Sequence, residues 1–149
     1  MFSAIVLFFL TTSFLVGAQT QFKECSKVPI VKKVQVNSCT EDKCVMFNRE
    51  PVNLSISFLP TRTINHAQSR ACAERPDKPK QCIVFPRFDV CPIGEKNCGI
   101  QKGENYTYQF SRTFPGLELD SSMRWELYDD MNEMFVCVSI PFQLTTYSP

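Results

Sequence analysis

The stretch Val52-Asn53-Leu54-Ser55-Ile56-Ser57-Phe58 alternates without a fault, apolar at every even position and polar at every odd one. Successive side chains of an extended chain point to opposite sides, so a period of two belongs to a strand with one face in a core and one in water. The pattern recurs on either side. Tyr106, Tyr108 and Phe110 alternate with Asn105, Thr107 and Gln109, and Met123, Trp125 and Leu127 with Arg124, Glu126 and Tyr128. After a turn over Asp129 to Asn132 it resumes at Met134, Val136, Val138, Ile140, Phe142 and Leu144. Ile30, Val34 and Val36 mark an earlier strand broken by Lys32. No window of comparable length repeats with a helical period. Short strands with one apolar face each can hide those faces only by packing sheet on sheet, which predicts an all-β antiparallel sandwich of two sheets. Pro141 has no amide hydrogen and predicts an edge position or a bulge in the last strand. Glu74 to Lys80, with Pro76 and Pro79, reads as a hairpin loop.

Eight cysteines lie downstream of an uncharged apolar N-terminus: Cys25, Cys39, Cys44, Cys72, Cys82, Cys91, Cys98 and Cys137. An even count behind a secretory leader reads as four disulfides in an oxidising compartment. Residues 1–18 fit such a leader, with an interrupted apolar run (Ile5 to Leu10, Phe14 to Val16) and Val16-Gly17-Ala18 as the cleavage site. That leaves residues 19–149 as a single domain of about 130 residues, long enough for a real core. A secreted protein is expected. Local spacing narrows the pairings: Cys39 with Cys44 and Cys91 with Cys98 across short loops, Cys72 with Cys82 across the Pro-rich hairpin, and Cys25 with Cys137 joining first strand to last. The sequons Asn53-Leu54-Ser55 and Asn105-Tyr106-Thr107 put both asparagines on polar strand faces, as glycan attachment requires.

A net charge of +1, from 16 basic and 15 acidic residues, lacks the basic excess of a polyanion-binding surface, so no nucleic-acid partner is expected. Catalysis finds little to build on. His66 is the only histidine, no nucleophile elbow precedes it, and the cysteines are taken up by disulfides. Asp129, Asp130 and Glu133 read as acids at a hairpin tip rather than a cation site. The cysteine spacings, in a secreted chain, read as bridges rather than zinc ligands, so no metal and no cofactor is expected.

Several motifs together resemble one family. Gln21-Phe22-Lys23-Glu24-Cys25, the pair Cys39 and Cys44, Asn97-Cys98-Gly99-Ile100-Gln101-Lys102-Gly103 leading into Tyr106-Thr107-Tyr108, and Trp125-Glu126-Leu127 followed by Asp129-Asp130 and Phe135-Val136-Cys137 resemble the ML lipid-recognition domain family over Gln21 to Leu144. The resemblance implies an immunoglobulin-like sandwich whose sheets splay apart to admit a lipid. It also implies the pairs Cys25–Cys137, Cys39–Cys44 and Cys91–Cys98, in agreement with the spacing. The implied protein is a monomeric carrier, secreted or lysosomal, that holds a sterol, fatty acid or other small apolar ligand and exchanges it with a membrane or receptor. A lipid-dependent co-receptor or secreted effector, in innate immunity or chemical sensing, is the other role the family allows. Arg70-Ala71-Cys72-Ala73-Glu74-Arg75 departs from it, being much more polar than the apolar strand expected there.

Phenylalanine is abundant, at 13 residues. Phe85 and Phe88 precede Cys91, and Phe114, Leu117 and Leu119 fall in the connection between the Tyr108 and Trp125 strands; the resemblance makes these two segments the mouth of a pocket. With Phe58, Tyr108 and Trp125 they form the expected lipid-binding set. From the residues alone, the same aromatics could equally plug the end of the sandwich, and Tyr108 could be a hydroxyl in a greasy wall or a cross-strand packing ring.

Overall fold

The computed structural model describes residues 19–37, 39, 44–89, 99–114 and 119–145. These form ten strands: β1 (Lys23–Glu24), β2 (Val31–Val36), β3 (Cys44–Phe47), β4 (Pro51–Phe58), β5 (His66–Glu74), β6 (Gln81–Val84), β7 (Phe88–Asp89), β8 (Tyr106–Thr113), β9 (Leu119–Asp129) and β10 (Met134–Thr145). No helix occurs among the described residues. The larger sheet runs β1-β10-β9-β5-β6, with β3 also on β10 and β7 also on β5; the smaller runs β2-β4-β8. The chain passes between the sheets at β1–β2, β2–β3, β3–β4, β4–β5, β7–β8 and β8–β9, which makes an immunoglobulin-like sandwich. Every pairing is antiparallel except β3 on β10.

The alternation places its apolar side chains inward. Val52, Leu54, Ile56 and Phe58 of β4 are buried, and so are Met123, Trp125 and Leu127 of β9 and Val136, Val138, Ile140, Phe142 and Leu144 of β10. Each such side chain contributes about 1.5–3 kcal/mol by leaving water. The interruption at Lys32 is a register shift between Val31 and Lys33 in the β2–β4 pairing.

Pro141 is not at a bulge, and although β10 is an interior strand, Pro141 itself is paired on one side only, at a local edge. The irregularity in β10 lies at Met134/Val136, and Pro141 is paired with Ser122 of β9. Odd-numbered residues of β10 turn their backbone groups away from β9: Cys25 N–H donates to Cys137 O (2.9 Å), and Asn48 N–H donates to Thr145 O (2.8 Å). Pro141 shares that parity and stands between Ser139, paired with β1, and Phe142, paired with β3. Its missing donor faces the seam where one partner strand ends and the other begins, so no ladder bond is lost.

Among the described residues three disulfides are formed, Cys25–Cys137, Cys39–Cys44 and Cys72–Cys82, with Cα separations of 4.8, 4.0 and 4.0 Å. Cys72 and Cys82 are direct cross-strand neighbours on β5 and β6, either side of the Glu74 to Lys80 loop. Cys91 and Cys98 lie outside the described residues, as do residues 1–18. Asn53 is exposed on β4, whereas Asn105 is exposed one residue before β8 rather than on it. Gly99 has φ +101°, and a Cβ there would stand 2.8 Å from the Ile64 carbonyl oxygen, whose backbone bridges Ile100.

The acids of the β9–β10 hairpin are structural. Asp129 Oδ1 accepts the N–H groups of Met131 (3.0 Å) and Glu133 (2.8 Å), while Oδ2 pairs with Arg62. Arg62 also binds Glu133, and this hydrogen bond and charge hold the Glu133 carboxyl below its ordinary value.

Candidate functional site

Strand β5 decides where the interior is roomy. Its inward residues are Ala67, Ser69, Ala71 and Ala73, which lie opposite Asp129, Leu127, Trp125 and Met123 of β9. Arg70, Cys72 and Glu74 take the other face. The polarity of Arg70 and Glu74 therefore belongs to the outside of the sheet, Arg75 past the strand's end borders the smaller cavity, and what β5 presents to the core is a row of small side chains.

Aromatic rings from both sheets fill the space in front of that row. Phe85, just past β6, stacks on Trp125 at 5.5 Å and 16° and meets Phe110 of β8 at 4.7 Å and Phe114 at 6.5 Å. Phe110 packs edge-on to Trp125 at 4.5 Å. Tyr108 joins Trp125 at 6.4 Å and Phe88 of β7 at 5.5 Å. The backbone of Phe85 is held at both ends, its N–H donating to Ser69 O (3.0 Å) and its carbonyl accepting from Gln68 Nε2 (3.0 Å). Phe85 is only 7% exposed.

Two hollows flank the rings. On one side a groove of about 520 Å³ opens between the sheets, lined by Ser69, Phe85, Phe88, Tyr108, Phe110 and Arg112 among others. Its described lining contains two arginines, Arg87 and Arg112, and no carboxylate. Arg112 sits 5.7 Å from the centre of the Phe85 ring, a cation–π contact at the rim. On the other side a cavity of about 130 Å³ lies against Ala71, Ala73, Ile83, Phe114 and Met123, with Arg75 and Gln81 also in its wall. Burial raises the Tyr108 phenol above its ordinary 10, against the opposing effect of nearby Ser69 and Trp125, so at neutral pH it is a hydroxyl.

Of the expected set, the fold brings Phe85, Phe88, Tyr108, Phe114 and Trp125 together. Phe58 stands apart, packed on Tyr106 (5.6 Å) and Phe135 (5.8 Å). Leu119 is no part of a connection: it opens β9, paired with Leu144. Leu117 lies outside the described residues. His66 is exposed at the start of β5 and does not line the groove. Phe110, Ser69, Ala71, Ala73 and Arg112 were not expected at the site. The alternation of small residues from Ala67 to Ala73 was the signal for three of them.

The outer face of the larger sheet carries a second unexpected feature. Glu126 is fully buried, although it alternates with Trp125 and Leu127 and so points away from the core. Lys80 Nζ donates to it at 2.8 Å and Tyr128 Oη at 2.7 Å; Arg124 Nε stands 2.7 Å away and Arg70 4.0 Å. Burial by itself would raise its pKa, but the Lys80 and Tyr128 hydrogen bonds and the Lys80 and Arg124 charges outweigh it and hold the carboxyl below 4.5. A depressed folded-state pKa means stability that is complete above the unfolded value and lost as pH falls through the folded one. Glu126→Gln is therefore expected to cost about 2 kcal/mol at pH 7 and to remove part of the acid-induced loss below pH 4.5. Urea midpoints of both proteins from pH 7 to 3 check this; parallel curves would refute it.

A sandwich with aromatic rings held between its sheets and a cleft beside them can be set against known proteins. Residues 19–144 match the family model described as the ML domain. The chain belongs to the ML domain family. Among relatives, this ML domain is 31% identical over 132 residues to mouse NPC intracellular cholesterol transporter 2, covering 84% of this chain and 85% of the relative. The dog protein of the same name is 28% identical over 141 residues, covering 86% and 87%. Among solved structures, a Niemann-Pick type C2 protein from Japanese carpenter ant aligns with a TM-score of 0.67 at 20% identity, over 84% of this chain and all but 1% of that one (99%). Chicken MD-1, solved in complex with lipid IVa, aligns at 0.53 with 13% identity, over 80% and 85%. At such identities the two structures speak for the fold of this ML domain.

Proposed function

We propose that the protein is a carrier that takes a small apolar lipid, a sterol or fatty acid, between its two sheets and passes it to a membrane or receptor. The supporting observation is the aromatic cluster itself, backed by a strand of small residues and flanked by a groove and a cavity rather than by solid core. Relatives named as cholesterol transporters agree with this reading. In the same reading residues 1–18 are a cleaved leader, the protein is secreted or lysosomal, glycans sit on Asn53 and Asn105, and the monomer acts without cofactor or chemistry.

Apolar burial supplies the affinity. At about 0.3 kcal/mol per heavy atom, a ligand of about 27 heavy atoms gains about 8 kcal/mol, a dissociation constant near 1 μM that still allows release. The smaller cavity, about 130 Å³, falls short of the roughly 300–1,000 Å³ of ordinary ligand pockets. Binding in this reading parts Phe85 and Phe114 so that groove and cavity become one space.

Filling the cavity tests it. Ala73→Leu adds apolar volume where there is room, so the melting temperature should hold or rise while affinity for a fluorescent sterol and a fluorescent fatty acid falls at least tenfold. Undiminished binding of both probes by the folded variant would sink the reading.

A further inference from the structure

Trp125 is 2% exposed, and its indole Nε1 has no hydrogen-bond partner. A buried donor without an acceptor is uncommon in folded proteins and costly to keep. Tyr108, whose ring centre is 6.4 Å from that of the indole, and Ser69 beside Tyr108 are themselves buried and line the groove; the Tyr108 phenol lies close enough to feel both Ser69 and the indole N–H, yet no well-formed hydrogen bond to the indole is closed. Two hydroxyls thus stand at the wall of an otherwise largely aromatic groove, and the indole N–H belongs to the ring packed directly behind Phe85, Tyr108 and Phe110 of that wall.

Resting on the carrier reading, we propose that this wall is an anchor for an uncharged oxygen, so that the preferred cargo is an apolar molecule bearing a hydroxyl, ketone or ester carbonyl, with that oxygen accepting from Trp125 Nε1–H. A carboxylate fits the same place poorly. Burying a charge needs a paired counter-ion, and the groove's cations are Arg87 and Arg112, the latter over the outer partner ring Phe85 rather than at the indole. Tyr108 and Ser69 hydroxyls can each donate or accept, so a ligand hydroxyl and a ligand carbonyl are both accommodated.

The chain has one tryptophan, so one indole N–H resonance reports the anchor. The experiment uses the whole mature protein, ¹⁵N-labelled, with 2-dodecanone, dodecane and dodecanoate, each also measured by displacement of a fluorescent hydrophobic probe. Dodecanone is expected to bind about tenfold more tightly than dodecane, one hydrogen bond's worth, and to move the indole proton downfield, while dodecane binds without that shift. In Trp125→Phe, which keeps a ring but no donor, the preference should shrink to within about twofold. Equal binding of dodecanone and dodecane with an unmoved indole resonance would overturn the anchor and leave the carrier reading standing. Tight binding of dodecanoate alone would overturn the anchor in favour of the rim arginines. Failure of all three to displace the probe would overturn anchor and carrier together. Because the wild-type resonance decides the matter, the test does not depend on Trp125→Phe folding well.

Discussion

Replacing Cys25 and Cys137 together by alanine is expected to cost the fold about 4.8 kcal/mol, the chain entropy released when a loop of this length is no longer closed. The bridge spans a sequence separation of 112, against 10 for Cys72–Cys82 and 5 for Cys39–Cys44. The same relation gives about 2.7 and about 2.1 kcal/mol for those two. Against a domain stability of about 5–15 kcal/mol, only the first loss approaches the whole. It also loosens β1, two residues long, whose place beside β10 is otherwise held by its short pairing with Val138 and Ser139 and by Cys25 N–H and the Ser26 hydroxyl on Cys137. Urea unfolding of the three double variants checks the order. A Cys25/Cys137 variant no less stable than the Cys72/Cys82 one would show that the long loop is already restricted in the unfolded chain.

Phe85→Ala is expected to destabilise the protein by about 3–5 kcal/mol, as for other buried phenylalanines. It would also quicken lipid exchange. The ring is packed on Trp125 and Phe110 and stands between groove and cavity, so its removal leaves an apolar space continuous with the cleft. A lipid occupying that space replaces the lost contacts. Ligand should therefore raise the melting temperature of the variant more than that of the wild type, by the mass-action relation between occupancy and stability. Stopped-flow release of a fluorescent sterol, with melts in its presence and absence, measures both effects. Release no faster than wild type would show that Phe85 is a packing residue and not the gate.

The strands were legible because alternation is a local property. Each residue from Val52 to Phe58 declares its face by its own polarity, and the structure places all of them accordingly. The Cys72–Cys82 bridge was legible for a similar reason: ten-residue spacing across a Pro-containing turn leaves cross-strand neighbours few alternatives. What alternation cannot say is which face looks at which. Phe58 and Phe85 are both apolar, inward and aromatic, yet strand order carries one to Phe135 and the other to Trp125. Pro141 reads as an edge, but that this edge is a gap between β1 and β3 on an interior strand is set by the change of partner, and Glu126 reads as solvent-facing until Lys80 and Arg124 close over it. The candidate site depends on the same missing information. Small residues on β5 make space only because the register sets them beside Trp125 and opposite rings from the other sheet. The sequence of one strand determines how it divides core from water, while the contents of the core are set by pairings between residues far apart in the chain.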